Sequence, residues 1–183
     1  MDRLKECALS FSKLFNIEYH ILVGRKGKLF EINLHFHKEH FHHLIGLHKV
    51  NDIKNARGNK VKVFDRILNN DLTYNDISKS NNFHKISDRF ENFTCIENMI
   101  DSEETMFKHN KNVIGTDIEA EYIVFSIINN KNVHLFINID DVTKKYFGCS
   151  FFQREDKRYI TGRPYVVLKK VKFIDLEDLD NLP

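Results

Sequence analysis

The chain has 183 residues, of which 42% are hydrophobic, and this is enough to build the core of one domain. Seven glycines and two prolines leave no flexible linker, so we expect a single domain over residues 1–183. The net charge of +2 hides a segregation, because residues 144–172 carry nine Lys/Arg and two acids, whereas residues 88–121 carry three Lys/Arg and nine acids. No apolar run reaches the roughly 18 residues that a transmembrane helix needs, so we expect no membrane association.

The N-terminal residues and the cysteines favour a cytoplasmic protein. Polar residues interrupt residues 1–15 every few positions, which is not the pattern of a signal peptide. Cys7, Cys95 and Cys149 are widely scattered and form no CxxC motif. They are typical of reduced thiols in a core.

The first elements in the chain are a helix and a hairpin. Apolar residues recur at helical spacing over residues 2–15, and Asp2 can cap the start of that helix. Residues 17–23 and 28–37 alternate in polarity as strands do, and a turn with a glycine at each end joins them.

Helical spacing continues through the centre of the chain, including one long helix over residues 82–100. Four β-rich runs follow, at residues 121–128, 132–139, 146–153 and 164–173. This order predicts an α+β fold: an antiparallel β-sheet of about four strands plus the N-terminal helix and hairpin, with a central helical segment packed on the sheet.

Six of the ten histidines lie in residues 34–50, and the cluster has three explanations. The first is a metal site formed by His35, His37, His40 and His43, although the run has no HExxH motif and no nearby cysteine. The second is a structural role, with exposed imidazoles or a core histidine bonded to a carbonyl.

The third explanation is proton transfer. RNA cleavage without a metal needs a base for the ribose 2′-hydroxyl, an acid for the leaving 5′-oxygen and cations for the developing charge. His43 and His48 flank the LIGL sequence, and Lys49 follows directly, so these three residues supply such a set.

Residues 150–170 interleave aromatic side chains with Lys and Arg. Aromatic rings stack on unpaired bases and cations hold phosphates, so this segment fits a surface that binds single-stranded RNA. An ordinary sheet with a solvated basic face explains the same pattern.

The run FHHLIGLHKVNDI, residues 41–53, resembles the F-x-H-L-x-G-L-H-K-L-x-D pattern of a phage-associated branch of the barnase–EndoU–colicin–RelE superfamily of nucleases. The segment SFFQREDKRYITGRPYVVLKK is similar to the terminal strands of the same proteins. Val50 stands where that pattern has Leu. The resemblance implies a small α+β nuclease, in many members one that cuts RNA without a metal, as a toxin or in conflicts between mobile elements and their hosts.

Together these observations predict a metal-independent ribonuclease without a cofactor that forms a 2′,3′-cyclic phosphate. Its partner is RNA, and a neutralising immunity or antitoxin protein is a candidate second partner. His43 and His48 are the predicted base and acid in unassigned order, and Asp52 is predicted to orient an imidazole. Predicted phosphate contacts come from Lys49, Arg158, Arg163, Lys169 and either Ser150 or Tyr159. The alternatives are a nucleic-acid-binding module without catalysis and a metal-binding protein.

Overall fold

A computed structural model describes residues 1–110, 117–155, 157–160, 162 and 164–174. Within these ranges seven strands form a closed barrel in the order β1-β2-β6-β5-β4-β3-β7. The strands are β1 Ile17–Arg25, β2 Lys28–His35, β3 Thr105–Lys108, β4 Tyr122–Ile128, β5 Lys131–Ile139, β6 Tyr146–Arg154 and β7 Tyr165–Ile174. Neighbouring strands are antiparallel except β2 and β6, which run parallel over two residue pairs.

The helices of the described part of the chain are short. They are α1 Arg3–Ser12, α2 Lys38–Leu44, α3 Lys60–Leu68, α4 Tyr74–Ser78, α5 Arg89–Asn92 and α6 Ile96–Ser102. Single 3-10 turns at Leu47–Lys49, Lys54–Ala56, Phe83–Lys85 and Phe93–Cys95 interrupt them. In these ranges no helix has both the length and the apolar character required to cross a bilayer.

The predicted fold class is wrong, because the strands close into a seven-stranded barrel rather than a four-stranded antiparallel sheet with a central helical segment on it. The two N-terminal strands join the C-terminal strands on both sides, since β1 pairs with β7 and β2 with β6. The last two predicted strands are not neighbours either, because β7 pairs with β1 and β3.

The single long helix expected over residues 82–100 is wrong as well. A 3-10 turn, α5, a second 3-10 turn and α6 replace it. Asn92 has φ −126°, which is outside the helical region and breaks the helix between α5 and α6. The break keeps α5 short, and the first residue of α5, Arg89, is buried and contacts the end of α2.

Local sequence signals fix several boundaries. The Asp2 carboxylate accepts hydrogen bonds from the backbone N–H groups of Leu4 and Lys5, which starts α1. Lys26 and Gly27 both have positive φ, at +49° and +74°, in the two-residue turn between β1 and β2. Asn129 and Asn130 form the corresponding turn between β4 and β5, with φ of +52° and +61°.

Strands β4 and β5 are buried on both faces. Val124 and Leu135 point into the main core, which also contains α1, α2 and α3. Ile123 and Phe136 point to the other side, where Tyr159 and Ala120 cover them in a second, smaller cluster. The second cluster supports one wall of the cleft described next.

Candidate functional site

A cleft of about 630 Å³ lies between strand β6 on one side and two 3-10 turns on the other. One turn, Leu47–Lys49, follows α2, and the other, Phe83–Lys85, precedes α5. The turns and α5 contribute His48, Lys49, His84, Lys85 and Arg89. Strand β6 and the loop after it contribute Ser150, Phe152, Arg154 and Tyr159. The cleft therefore combines imidazoles, cations and aromatic rings in one place, together with the carboxylates of Asp88 and Asp117.

Gly46 shapes the turn that carries His48 and Lys49. Its φ of +91° ends α2 in the left-handed region, which favours glycine. A Cβ atom at this position would lie 2.5 Å from Cγ2 of Ile86 and 3.0 Å from Nε of Arg89. Glycine is thus required both by the backbone conformation and by the close packing of this turn against α5.

Arg89 lies beneath that turn and is only 1% exposed. Its Nη1 donates to the carbonyl oxygen of His43 at 3.1 Å and to that of Leu44 at 2.7 Å, the last residues of α2. Burial lowers the pKa of Arg89 to about 10, so the guanidinium remains charged at neutral pH. A buried cation at the C-terminal end of α2 also interacts favourably with the partial negative charge at that end of the helix dipole.

His48 and His43 form a ring pair, with centroids 4.8 Å apart and an interplanar angle of 34°. Burial, followed by the charges of His43, Arg89 and Lys49, lowers the pKa of His48 to about 4. Burial also lowers the pKa of His43 to about 4, followed by the charges of Lys60, His42 and Arg89. Both imidazoles are therefore neutral at neutral pH and can accept a proton.

The two histidines differ in access to the cleft. His48 has one exposed side, which lines the cleft, while neighbouring atoms surround the rest of its ring; His43 is half-buried and lies behind the His48 ring. Lys49 also lines the cleft; burial, followed by the charge of Arg89, lowers its pKa.

A β-bulge in β6 determines which of its side chains point into the cleft and form the other wall. Phe136 of β5 pairs with Ser150 and Ile137 pairs with Gly148, so Cys149 is the extra residue. Ser150, Phe152 and Arg154 then follow at alternate positions and line the cleft, while Phe151 enters the main core.

The aromatic part of this wall consists of Phe152 and Tyr159. The Arg154 guanidinium carbon lies 5.8 Å from the Phe152 ring centroid and 5.9 Å from that of Tyr159. Tyr159 is 1% exposed and packs edge-on against Phe136 at 5.2 Å. Its ring is therefore a supporting surface at the back of the cleft.

Three predicted site residues lie outside this cleft, and a fourth falls outside the described residues. Asp52 is exposed and accepts hydrogen bonds from the Ser80 hydroxyl and the Asn81 amide, not from His43 or His48. Lys169 lies on the outer side of β7, beside His20 and Phe173, in a separate depression. Arg158 is exposed in the loop after β6, outside the cleft wall, and Arg163 lies outside the described residues.

The histidine run divides into two groups. The rings of His35, His37 and His40 lie 4.7–5.8 Å from one another, and His40 stacks on Phe147 at 4.9 Å. His43 belongs to the group at the cleft. In the part of the chain that the structure describes, no three His, Cys, Asp or Glu side chains are arranged to hold a metal ion. The four histidines of the metal hypothesis thus do not form one site.

Sequence reasoning missed Arg89, His84 and Arg154 as cleft residues. Arg154 had a usable signal, because it lies four positions after Ser150 on the same strand and must share its face. His84 and Arg89 lay in the segment predicted as one helix, and the breaks in that helix decide where their side chains point.

A family model described as PBECR4, the phage-Barnase-EndoU-ColicinE5/D-RelE like nuclease4, matches residues 3–180. The chain belongs to this family. The resemblance predicted from residues 41–53 is therefore confirmed, and membership in PBECR4 supports a nuclease function. No curated protein and no solved structure matches the chain.

Proposed function

We propose that this PBECR4 nuclease is a metal-independent endoribonuclease that uses histidine acid/base catalysis and leaves a 2′,3′-cyclic phosphate. The observation that carries the proposal is one cleft in which neutral His48 lies beside Lys49, Arg89 and Arg154. An imidazole that is neutral at pH 7 can act as a general base, and nearby cations can stabilise a charged phosphorane.

In the proposed reaction His48 takes the proton of the ribose 2′-hydroxyl, the 2′-oxygen attacks the adjacent phosphorus, and the bond from phosphorus to the 5′-oxygen breaks as that oxygen gains a proton. The charge that develops on the non-bridging oxygens lies near Lys49 and Arg154, and Ser150 donates a hydrogen bond to the phosphate. His43 supports the His48 ring through their contact at 4.8 Å. These roles supply the activation of the nucleophile and the neutralisation of charge that a metal provides in other nucleases.

Phe152 gives the cleft an aromatic surface with Arg154 beside it and the buried ring of Tyr159 behind it. Aromatic faces and arginine planes are the usual surfaces on which unpaired bases stack. We therefore propose single-stranded RNA as the substrate.

We also propose the cytoplasm as the place of action. A neutralising immunity or antitoxin protein is the proposed protein partner, since uncontrolled RNA cleavage would harm the cell that makes the enzyme.

The deciding experiment incubates purified protein with total RNA in excess EDTA and analyses the product ends. We expect cleavage with 2′,3′-cyclic phosphate ends, and no cleavage of an oligonucleotide carrying 2′-deoxyribose at the scissile position, because the 2′-hydroxyl is the nucleophile. A DNA duplex and heat-inactivated protein serve as controls. Activity that disappears in EDTA and returns with a divalent ion would contradict the proposal. Salt-dependent binding without any product would instead support a binding module without catalysis.

Arg154→Ala and Lys169→Ala form a matched pair that tests the path of the RNA. Arg154 lines the cleft and Lys169 faces the other depression. Each phosphate contact to a single strand contributes a slope of about −0.7 to the plot of log K against log salt. In a His48→Ala background we expect Arg154→Ala to reduce that slope by about 0.7 and Lys169→Ala to leave it unchanged. Equal changes in both variants would show that the RNA does not follow this cleft.

A further inference from the structure

A second imidazole reaches the cleft from the 3-10 turn Phe83–Lys85. His84 lines the cleft together with His48, although the two residues come from different turns. Its Nδ1 lies 3.1 Å from the carbonyl oxygen of Asn81. Because a carbonyl oxygen only accepts, Nδ1 must carry a proton and donate it. Nε2 is then the ring nitrogen through which His84 can exchange a proton with a substrate.

Hydrogen bonds join the segment just before the His84 turn to Asp52. The Asp52 carboxylate accepts a hydrogen bond from the Ser80 hydroxyl and one from the Asn81 backbone N–H at 2.9 Å. The Ser80 oxygen in turn accepts the N–H of Asn82 at 3.1 Å. The chain of contacts runs from Asp52 through residues 80–82 to the Asn81 carbonyl that orients His84.

The proposed reaction needs a proton donor that the pair His43 and His48 does not supply well. Both of these imidazoles are neutral at neutral pH because burial and nearby cations lower their pKa values to about 4. His43 also lies behind His48 instead of lining the cleft. Of the residues described as lining the cleft, His84 is the other imidazole.

We propose that His84 is the general acid of the reaction and that Asp52 is its positioning residue. This inference rests on the proposed ribonuclease function. As His48 removes the 2′-hydroxyl proton, the 2′-oxygen bonds to phosphorus and the bond from phosphorus to the 5′-oxygen breaks. His84 acts as the imidazolium, which carries a proton on both ring nitrogens, and gives its Nε2 proton to that oxygen, so the products are a 2′,3′-cyclic phosphate and a 5′-hydroxyl. Exchange with water then returns a proton to His84 and removes one from His48.

In this proposal the imidazole that Asp52 orients is that of His84, and the contact passes through the turn at residues 80–82. Asp52 and His48 both lie in the run shared with the nuclease family. One short segment thus carries the proposed base and holds the turn that presents the proposed acid.

The test compares two substrates that differ in their need for an acid: a short RNA and uridine 3′-(4-nitrophenyl phosphate), whose phenolate leaves without protonation. We expect His84→Ala to lower kcat on RNA by about 10²–10⁴-fold and to leave the aryl ester within about tenfold of wild type. His48→Ala should impair both substrates, because both need the 2′-hydroxyl deprotonated. His20→Ala, at an exposed histidine that lines a separate depression, is the control and should change neither.

Asp52→Asn keeps the size of the side chain and should reproduce the His84→Ala pattern in weaker form, with a loss on RNA and little loss on the aryl ester. In the His84→Ala background it should cause no additional loss, because a positioning residue acts only through the group it positions. Additive losses, or equal losses on the two substrates, would assign Asp52 to general folding and overturn its positioning role.

Equal losses on both substrates in His84→Ala, or no loss on either, would overturn the role of His84 as acid. If the wild-type protein cleaves neither substrate, the proposed ribonuclease function itself fails. The two failures are therefore distinguishable. Because His84 is exposed, its replacement should leave the circular dichroism spectrum and Tm unchanged, which is checked first.

Discussion

Replacing His48 with alanine should lower kcat/KM for RNA by about 10²–10⁴-fold, the range that a general base contributes. His43→Ala should cost about tenfold or less, since it removes a ring that supports His48 and not a group that lines the cleft, and tenfold corresponds to about 1.4 kcal/mol. Single-turnover cleavage of a short RNA by each variant measures both numbers. Equal losses would mean that both imidazoles take part in proton transfer, and a small loss for His48→Ala would remove it as the base.

The pH profile gives an independent measure of the same group. With a pKa of about 4, His48 is deprotonated and competent at neutral pH. As the pH falls through about 4 the base becomes protonated, so kcat/KM should fall tenfold per pH unit on the acid side. Circular dichroism at each pH separates this loss from acid unfolding. A midpoint near the ordinary histidine value of about 6.5 would show that burial and the nearby cations do not act on the base.

The helix start and the turns of this fold can be predicted from the sequence, but the pairing of its strands cannot. Asp2, the Lys26–Gly27 turn and the Asn129–Asn130 turn act on neighbouring residues, so spacing and residue type reveal them. The barrel closes through β1 with β7 and through two residue pairs between β2 and β6. Such contacts join segments more than a hundred residues apart, and the alternation of a strand does not say which strand it meets.

The same limit decides how much of the site was predictable. His48, Lys49 and Ser150 were found from residue type and neighbours, and the structure brings them to one cleft. Successive residues of a strand point to opposite faces, so Lys169 and Lys170 lie on different faces of β7, but the closure of the barrel decides what each face contacts. Lys170 donates to carbonyl oxygens at the end of α6, and Lys169 lies in the depression shared with β1 and β2.

Arg89→Met should lower the free energy of unfolding by about 2–4 kcal/mol, because the carbonyl oxygens of His43 and Leu44 lose a charged donor in the interior. The substitution should also change the electrostatics of the cleft. The positive charge of Arg89 is one cause of the low pKa values of His43 and His48, so its removal should raise both towards the ordinary value. The acid limb of the pH profile should then move to higher pH.

Arg66→Met is the matched control for this prediction. Arg66 also donates from Nη1 to two backbone carbonyls, those of Asn55 and Arg57, but these bonds are exposed to water. Water can replace the lost donor there, so we expect a change below about 1 kcal/mol and an unaltered pH profile. Urea unfolding measures the free energies, and histidine proton NMR follows the two imidazoles. An Arg89→Met protein that is as stable as Arg66→Met and titrates like wild type would show that the buried guanidinium neither holds the end of α2 nor sets the charge of the cleft.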